Sequence, residues 1–464
     1  MIAATLAEIA QIVGGTVGGG PGDLLVTAPA ASDSRAVQPG GLFVAVSGER
    51  VDGHDFAAET VAAGAVAALV SRPVPVPHVL VEDTVAALGR LARHQVDRLV
   101  AGGLVVVGVT GSSGKTSTKD LLAAVLEPLG ATVAPVGSLN TEIGVPLTAL
   151  AADERTRHLV VEMGARGVGH IAYLCDVTPP RIGVVLNVGT AHAGEFGSKE
   201  ATARAKSELV AALPTAAAGG VAVLNADDPL VAAMAGVTPA RVVASGLGPD
   251  AAVRAEQLRL DALGRPSFLL RAGDLEPVQV TLPLHGAHHV GNALAAATVA
   301  LELGATPAGV AHALATATPR SRWRMEVVER ADGVTVVNDA YNANPDSVRA
   351  ALAALAAMAN GRPTWVVLGE MAELGAASPA EHEQVGRLAR RSGVTRLLVV
   401  GAGAHGVHSG ALAEGAVDGE GSIVVADVPA ALELLTAELR PGDLVLVKAS
   451  RSSGLERLAE GLLA

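Results

Sequence analysis

The stretch Gly108-Val-Thr-Gly-Ser-Ser-Gly-Lys-Thr116 decides the fold of this 464-residue sequence. It overlaps the end of a continuous apolar run, Leu104–Val109, and precedes a segment that predicts a helix over Lys119–Leu126. Glycines let backbone N–H groups close around phosphate oxygens, and the N-terminus of the helix adds a positive dipole. The Gly-Lys-Thr ending is typical of a P-loop, although Val109 stands where the general pattern has its first glycine. The stretch therefore predicts a phosphate-binding loop between a parallel strand and a helix.

Each residue of this loop has an expected role. Lys115 is expected to reach the β- and γ-phosphates of ATP, and the Thr116 hydroxyl to bind Mg²⁺. The alternative is an ordinary glycine-rich turn between strand and helix, which the Gly-Lys-Thr ending disfavours. The backbone amides expected to surround the phosphates are those of Gly111, Ser112, Ser113 and Gly114.

Outward from the loop, short β-branched runs alternate with longer Ala/Leu-rich helical segments, which is typical of doubly wound parallel sheets. We therefore expect an α/β protein of three domains. An N-terminal α/β domain spans residues 1–98, a P-loop doubly wound domain 99–320, and a Rossmann-like α/β domain 321–464. Alternating apolar residues over 241–284 predict a small antiparallel addition to the central domain. The predicted strands are Leu104–Val109, His158–Glu162, Ile182–Val188, Val221–Leu224, Val334–Val337, Thr364–Leu368, Leu397–Val400, Ile423–Val425 and Leu444–Val447.

Composition excludes several classes of protein. The 46 acidic side chains outnumber the 34 of Lys and Arg, for a net charge of −12, which argues against a broad nucleic-acid or anionic-membrane surface. Aromatic residues make up only 2%, too few for a base-stacking platform. A single cysteine, Cys175, rules out an intramolecular disulfide and a thiolate zinc cluster. Without a basic leader or a membrane-length apolar run, we expect a cytoplasmic protein with no membrane insertion and no nucleic-acid partner.

Polar residues at strand ends are the next candidates. Glu162 closes one predicted strand and His192 follows another, and such ends line the ligand crevice of an open parallel sheet, where both could meet a hard cation. Taken alone, Glu162 is better explained as a solvated loop acid and His192 as a hydrogen-bonded loop histidine, but their shared location at strand ends favours the metal-binding interpretation. The run Asp339-Ala-Tyr-Asn-Ala-Asn-Pro345 follows a strand and precedes a helix, which suits either ligand contacts or a helix-entry turn. Lys206 lies on a predicted helical face and Asn292 precedes a predicted helix, and no local pattern marks either residue as functional.

With these motifs assembled, the sequence resembles the Mur ligases, ATP-dependent amide-forming enzymes of peptidoglycan synthesis. The resemblance runs from about Asp33 to Glu456. Its motifs include Asp33-Ser-Arg35, the P-loop, Asn140-Thr-Glu142, Glu162-Met-Gly and Lys448-Ala-Ser-Arg451. The run Tyr341-Asn-Ala-Asn-Pro345 is similar to that of the branch that adds D-alanyl-D-alanine. The third-residue-adding branch carries His-Thr-Pro-Asp and Asp-Asn-Pro-Arg runs instead, and neither occurs in this sequence.

The resemblance implies a ligase that adds D-alanyl-D-alanine to UDP-N-acetylmuramoyl-tripeptide through an acyl phosphate. It implies one domain for the UDP-sugar, one for ATP with one or two Mg²⁺ ions, and one for the dipeptide. The third residue of the tripeptide stays open between diaminopimelate and lysine, and we expect a monomer. It also implies roles for individual residues. The catalytic residues are Lys115, Lys206 and His192, and the metal ligands are Thr116, Glu162, His192 and Lys206 (as a carbamate). ATP is bound by Asn292, Arg324 and Asp339, the muramoyl peptide is faced by Ser34, Asn140, Thr141 and Glu142, and the dipeptide is faced by Asn342, Asn344, Lys448 and Arg451.

Two positions depart from the family pattern: His289 and Thr141 each stand where the family usually has asparagine. Three rival readings also remain. The chain could be another amide ligase of the family, such as the third-residue-adding enzyme or a folyl-polyglutamate ligase. It could instead be a P-loop kinase or nucleotide switch, or a non-catalytic ATP-binding assembly protein.

Overall fold

The computed structural model describes residues 1–48, 51–189 and 197–464, which form three α/β regions, each around its own sheet. This confirms the expected fold class. None of the helices within these ranges is long and apolar enough to cross a membrane. The α-helices in the described ranges are Leu6–Val13, Ala57–Ala62, Thr84–Ala101, Lys115–Leu126, Gly144–Leu150, His170–Val177, Lys199–Ala211, Pro229–Ala232, His289–Glu302, Pro307–Ala315, Pro345–Ala359, Ser378–Arg391, His405–Ala413, Val428–Glu438 and Glu456–Leu463.

The central sheet places the P-loop strand, Val105–Thr110, between the parallel strands His158–Glu162 and Ile182–Val185. All three strands end at the same edge, so the loops after them meet there. Buried aliphatic side chains cover both faces of this sheet, as its continuous apolar runs require. In spatial order the strands are Val278–Thr281, Pro266–Ala272, Val253–Leu260, Arg241–Gly246, Val221–Asn225, Ile182–Val185, Val105–Thr110, His158–Glu162 and Thr132–Val133.

The segment 241–284 is only partly the antiparallel addition that its alternating pattern predicts. Arg241–Gly246 pairs parallel to Val221–Asn225 and belongs to the main sheet. The antiparallel pairing starts with Val253–Leu260 against Pro266–Ala272. Alternation reports that one face of a strand is exposed, and it does not report the direction of the neighbouring strand.

The N-terminal region has a mixed sheet with strands, in spatial order, Thr16–Gly18, His78–Leu80, Ala67–Val70, Leu42–Val44 and Ala30–Ala31. A small antiparallel pair, Ala4–Thr5 with Leu25–Val26, lies beside it. The long helix Thr84–Ala101 joins this region to the central one. The buried Gln95 amide of that helix donates to the carbonyls of Ala149 (2.9 Å) and Ala152 (3.0 Å). An unsatisfied buried amide costs about 1–3 kcal/mol, so these bonds fix the helix against the central region.

The C-terminal region begins with an antiparallel strand, Glu326–Glu329, and the strands after it are parallel to their neighbours. Separate hydrophobic clusters cover the two faces of the sheet, which is the doubly wound arrangement predicted from the sequence. Its spatial order is Glu326–Glu329, Thr335–Asn338, Leu444–Lys448, Thr364–Leu368, Arg396–Val400 and Ser422–Val425.

Two local predictions are corrected by the structure. The strand predicted over 182–188 ends at Val185, because the chain then turns toward the P-loop. The helix after the P-loop begins at Lys115 and not at Lys119, so Lys115 and Thr116 lie in its first turn. Ser34 itself lies in a short 3₁₀ turn (Ser34–Ala36) capped by the Asp33 carboxylate.

Candidate active site

A cavity of about 1000 Å³ opens where the three regions meet. Its walls contain the P-loop and the end of the strand at Glu162 from the central region, the start of the helix at Asp83 from the N-terminal region, and Asp339 from the C-terminal region. Clefts of this size at domain boundaries are the usual sites of small-molecule binding. The predicted site residues that line it are Ser112, Ser113, Gly114, Lys115, Thr116, Asn140, Thr141, Glu142, Glu162, Asn292, Arg324, Asp339, Asn342, Asn344, Lys448 and Arg451.

The P-loop is held from both sides. The Asn187 carboxamide accepts from the Ser113 amide (2.9 Å) and donates to its carbonyl (3.1 Å), and the Gly189 amide donates to the Ser112 hydroxyl (2.8 Å). The half-buried Lys115 ammonium donates to the Gly111 carbonyl at 2.8 Å and so curls back over the loop. Burial lowers the pKa of Lys115, an effect partly offset by the carboxylate of Glu162. The loop is therefore a preformed cradle with one cation folded across it.

Gly114 is required at its position. It takes a φ of +81°, and a Cβ built on it would lie 2.6 Å from the Asn292 Oδ1. Asn292 sits in the first turn of the helix His289–Glu302 and is buried there. The predicted nucleotide residue therefore lies close to the P-loop, and a side chain at Gly114 would clash with it.

Glu162 is the centre of a buried polar cluster at the cavity edge. Its carboxylate is 1% exposed and accepts from the Thr116 hydroxyl (3.0 Å), the Ser138 hydroxyl (2.7 Å) and the Asn140 carboxamide (2.8 Å). All three donors are neutral, so they orient the carboxylate without neutralising its charge. An anionic oxygen pair beside the hydroxyl of the P-loop threonine is a hard-oxygen donor set.

Lys206 lies on the helix Lys199–Ala211 and is buried. Burial first, and the nearby Lys115 ammonium second, lower the pKa of the Lys206 side chain to about 7. Lys206 is not among the residues that line the cavity, and the same is true of Ser34. His192, predicted as a metal ligand and catalytic group, lies outside the described residues.

The C-terminal region reaches the P-loop through Arg324. Its guanidinium donates to the Thr116 hydroxyl at 3.2 Å and stacks 4.2 Å from the ring centre of Tyr341, while its Nε atom is buried without a hydrogen-bond partner. A cation held by an aromatic face keeps its remaining donors available for an anion. Arg324 thus places a positive charge from the third region beside the phosphate loop.

The histidines next to Asn292 form an uncharged wall. His288 and His289 pack with ring centres 4.2 Å apart, and neither ring nitrogen of the buried His289 has a hydrogen-bond partner in the described structure. Burial lowers the pKa of His288 to about 4 and that of His289 well below its usual value. Both rings are therefore neutral at pH 7. His289, which replaces the usual asparagine, presents an uncharged ring to the cavity.

Comparison with known proteins accounts for this arrangement. The Mur ligase middle domain matches residues 109–300, the Mur ligase glutamate ligase domain 323–451, and the Mur ligase family catalytic domain 31–96. The UDP-N-acetylmuramoyl-tripeptide–D-alanyl-D-alanine ligase of Mycobacterium tuberculosis is 52% identical over all of this chain and 98% of its own length. The chain belongs to the Mur ligase family.

Solved structures agree with this membership. A crystal structure of MurF from Acinetobacter baumannii superposes with a TM-score of 0.87 at 30% identity and covers 99% of both chains. The MurF ligase of Thermotoga maritima in complex with ADP superposes with a TM-score of 0.78 at 30% identity, over 94% of this chain and 97% of that one. The resemblance read from the motifs is therefore confirmed over nearly the whole chain.

The donor set of this Mur ligase fits a Mg²⁺ ion carried by a nucleotide. No group of three or more His, Cys, Asp or Glu side chains suited to a metal occurs in the described ranges, so they hold no all-protein cage. Mg²⁺ is commonly bound by one or two carboxylates together with substrate phosphates and water. The Thr116 hydroxyl and the Glu162 carboxylate, 3.0 Å apart at the cavity wall, supply such a partial set.

Several residues that shape the site have no role in the sequence analysis. Asn187 clamps the P-loop, Ser138 orients Glu162, and Glu373 lines the cavity from the C-terminal region. Asn187 follows a parallel strand, so the strand-end rule that selected Glu162 also applies to it. Ser138 comes from a loop with no distinctive pattern, and only the fold brings it near Glu162.

Two predicted ligand-binding residues of this Mur ligase bind each other. The Lys448 ammonium contacts the Asp339 carboxylate at 2.6 Å and also donates to the Asn342 carbonyl at 2.9 Å, with both charged groups buried. Burial lowers the pKa of Lys448 despite the attraction of Asp339. Asp339 also accepts from the Met325 amide at 3.2 Å. This pair fixes the strand ends under the cavity, and the nucleotide and dipeptide roles of its members stay predictions.

Replacing Lys448 with methionine is expected to lower the free energy of unfolding of the C-terminal region by about 3–5 kcal/mol, because Asp339 would be left buried without its cation. Urea denaturation followed by tryptophan fluorescence would measure the loss, since both tryptophans, Trp323 and Trp365, lie in that region. The double variant with Asp339→Asn should recover much of the stability. An unchanged midpoint in the single variant would show that the pair contributes nothing.

Proposed function

We propose that this chain joins the amine of D-alanyl-D-alanine to the free carboxylate of UDP-N-acetylmuramoyl-tripeptide, with conversion of ATP to ADP and phosphate. The observation that carries the proposal is a P-loop with the Gly-Lys-Thr ending at the edge of a cavity walled by all three regions. Relatives that align over the whole chain are named as ligases for this substrate pair. The product is an intermediate of peptidoglycan synthesis.

The chemistry explains why a ligase needs this cavity. A carboxylate is a poor electrophile, and transfer of the γ-phosphoryl group to it makes an acyl phosphate with a good leaving group. Lys115 and Arg324 place two cations at the P-loop, where charge on the transferring group develops. The dipeptide amine then attacks the carbonyl carbon, and phosphate leaves from a tetrahedral intermediate. Because three reactants must be aligned, a site shared by three regions provides the necessary positioning.

The site residues keep the roles that the resemblance implies. Thr116 and Glu162, with His192 and carbamylated Lys206, would hold Mg²⁺, which supplies charge neutralisation to the phosphates when bound. Asn292, Arg324 and Asp339 would border the nucleotide. Asn140, Thr141 and Glu142 lie on the central wall and, with Ser34 in the N-terminal region, would face the muramoyl peptide. Asn342, Asn344, Lys448 and Arg451 lie on the C-terminal wall and would face the dipeptide.

The organisation of the chain follows from the same proposal. Residues 1–98 would bind the UDP-sugar, 99–320 ATP, and 321–464 the dipeptide. We also propose that the enzyme is a cytoplasmic monomer that acts on nucleotide-linked precursors. Neither a nucleic acid nor a membrane takes part in this reaction.

Purified enzyme given ATP, Mg²⁺, UDP-muramoyl-tripeptide and D-alanyl-D-alanine is expected to release one phosphate for each amide formed. Coupled phosphate detection with mass spectrometry of the UDP-linked product would measure both. Omitting the dipeptide should suppress phosphate release, which separates a ligase from a kinase or nucleotide switch. Nucleotide binding without product would support an assembly protein. Amide formation from the UDP-muramoyl-dipeptide and a single amino acid would instead support the third-residue-adding branch.

A further inference from the structure

The linker, residues 320–325, joins the central region to the C-terminal region and carries Arg324, whose guanidinium lies at the Thr116 hydroxyl. Trp323 and Met325, on either side of Arg324, have φ values of +60° and +50°. Residues with a Cβ rarely adopt this left-handed conformation, and it persists where surrounding contacts impose it. The place of Arg324 therefore depends on the contacts that hold the linker.

A buried polar cluster holds the start of the linker against the P-loop helix, Lys115–Leu126. The Asp120 carboxylate accepts from the Ser321 amide at 3.1 Å and from the Ser321 hydroxyl at 3.3 Å. The Lys119 ammonium donates to Asp120, to the same hydroxyl at 3.3 Å and to the Pro135 carbonyl. An ammonium has three N–H donors, so each of them has a partner within the protein.

Two points of the P-loop helix contact the linker. Thr116 and Asp120 are four residues apart, so they lie on one face of the helix, about one turn from each other. Their partners in the linker are Arg324 and Ser321, three residues apart. The linker therefore runs along the helix toward its N-terminus, and the attachment at Ser321 sets how far the Arg324 guanidinium reaches.

After Ser321 the linker also contacts the C-terminal region. The Arg322 guanidinium donates to the Glu460 carboxylate at 2.9 Å, and the Trp323 indole donates to it at 3.3 Å. Glu460 lies on the last helix of the chain, Glu456–Leu463. These bonds are exposed, whereas those of Ser321 are buried. The buried attachment at Ser321 is thus the one that relates the linker to the P-loop helix.

Resting on the proposed function, we propose that Asp120 is a positioning residue for phosphoryl transfer, supported by the Lys119 ammonium. It holds Ser321 on the P-loop helix and so keeps the Arg324 guanidinium beside the Thr116 hydroxyl. Neither Asp120 nor Lys119 lines the cavity, so both act through Arg324 and not on a reactant. Misplacement of a charge-stabilising group by about 1 Å costs up to about 10²-fold in rate, which is what this attachment prevents.

The test is a double-mutant cycle between Asp120→Asn and Arg324→Gln. In the otherwise wild-type enzyme, Asp120→Asn should lower kcat for amide formation about tenfold or more, because Ser321 is held less firmly. In the Arg324→Gln enzyme, the same replacement should change kcat less than about twofold, because the group that it positions is already gone. A merely structural role predicts an equal loss in both enzymes, and that result would overturn the proposal. A wild-type kcat in Asp120→Asn would overturn it too.

A second variant covers the case in which Asp120→Asn does not fold, since that replacement leaves the Lys119 charge buried without its anion. Ser321→Ala removes one hydroxyl from the cluster and no charge. It should lower kcat about fivefold while Arg324 is present and change it little in the Arg324→Gln enzyme. An equal fall in both enzymes would contradict the positioning role.

The matched control is Glu127→Gln, which removes the exposed ion pair to Arg320, next to Ser321, and should leave kcat unchanged. Hydrogen exchange followed by mass spectrometry gives a readout that does not depend on ligation. The Ser321 amide should exchange faster in Asp120→Asn than in the wild type, and unaltered exchange there would refute the attachment. Wild-type enzyme that forms no amide would count against the proposed function itself, while the exchange result would still decide whether Asp120 holds the linker.

Discussion

Replacing Lys115 with methionine is expected to lower kcat for ligation by about 10³-fold or more, because a cation aimed at the transferring phosphoryl group is lost. The Lys115 ammonium already lies within the loop, bonded to the Gly111 carbonyl, so binding of a triphosphate has only to redirect it. The loss should appear in phosphate release and in amide formation alike, since both need the acyl phosphate.

The stability of the Lys115 variant is the control. Burial lowers the pKa of Lys115, so the charged form is less favoured in the folded protein than in the unfolded chain. At pH values below the folded-state pKa, the ammonium therefore costs stability, and methionine of similar length removes that cost. We expect a melting temperature equal to or above that of the wild type. Near-normal turnover in a folded variant would contradict the role of Lys115.

The sequence was sufficient to predict the part of the site that lies at one edge of the central sheet. The strands that end at Thr110 and Glu162 are parallel neighbours, so the loops after them had to meet. The bond from Thr116 to Glu162 follows from this rule together with the P-loop motif. Local pattern and chain direction were sufficient there, because both residues belong to one sheet.

Contacts between distant segments could not be predicted in the same way. Asp339 and Lys448 each match a motif and were assigned to different ligands, yet they are neighbours at 2.6 Å across two adjacent strands. The hydrophobic pattern of a doubly wound sheet does not determine the order of its strands, so the pairing of Asp339 with Lys448 could not be predicted. Glu373 lines the cavity at the end of a loop whose Met371 and Ala372 amides donate to His382 and Ser450, and these contacts between distant segments have no local sequence signal.

Charged side chains from two regions of the chain meet at the Thr116 hydroxyl. Arg324 reaches the Thr116 hydroxyl from the C-terminal region, while Glu162 accepts from the same hydroxyl within the central region. The Thr116 hydroxyl can keep both hydrogen bonds only while the Arg324 guanidinium and the Glu162 carboxylate hold their present positions. Thr116 is therefore a point of direct contact between the central and C-terminal regions at the phosphate loop.

Replacing Lys206 with alanine is expected to reduce turnover on the order of 100-fold or more, since even partners behind a metal ligand are worth about 10–100-fold. The physical basis is the pKa of the Lys206 side chain, which burial and Lys115 lower to about 7. Above that pH the amine is neutral and can add CO₂ to form a carbamate, releasing one proton. The product is an anion at a position where an ammonium would repel both Lys115 and a metal ion.

The matched control is Lys199→Ala, which removes an exposed lysine from the same helix and should leave turnover unchanged. A short carboxylic acid such as acetate is expected to restore part of the activity of Lys206→Ala, because it supplies the missing carboxylate. Near-normal activity of Lys206→Ala without added acid would refute the carbamate role.

The wild-type enzyme offers an independent measurement of the same group. Rigorous removal of CO₂ should lower its activity, and bicarbonate should return it, while ¹³C-labelled bicarbonate should give a carbamate signal that Lys206→Ala lacks. The sign of the pH effect follows from the pKa of about 7. As the pH falls below that value the amine becomes protonated and no longer adds CO₂, so the carbamate signal and the activity should decline together toward acid pH. A signal that persists in acid while activity is lost would assign the decline to another group.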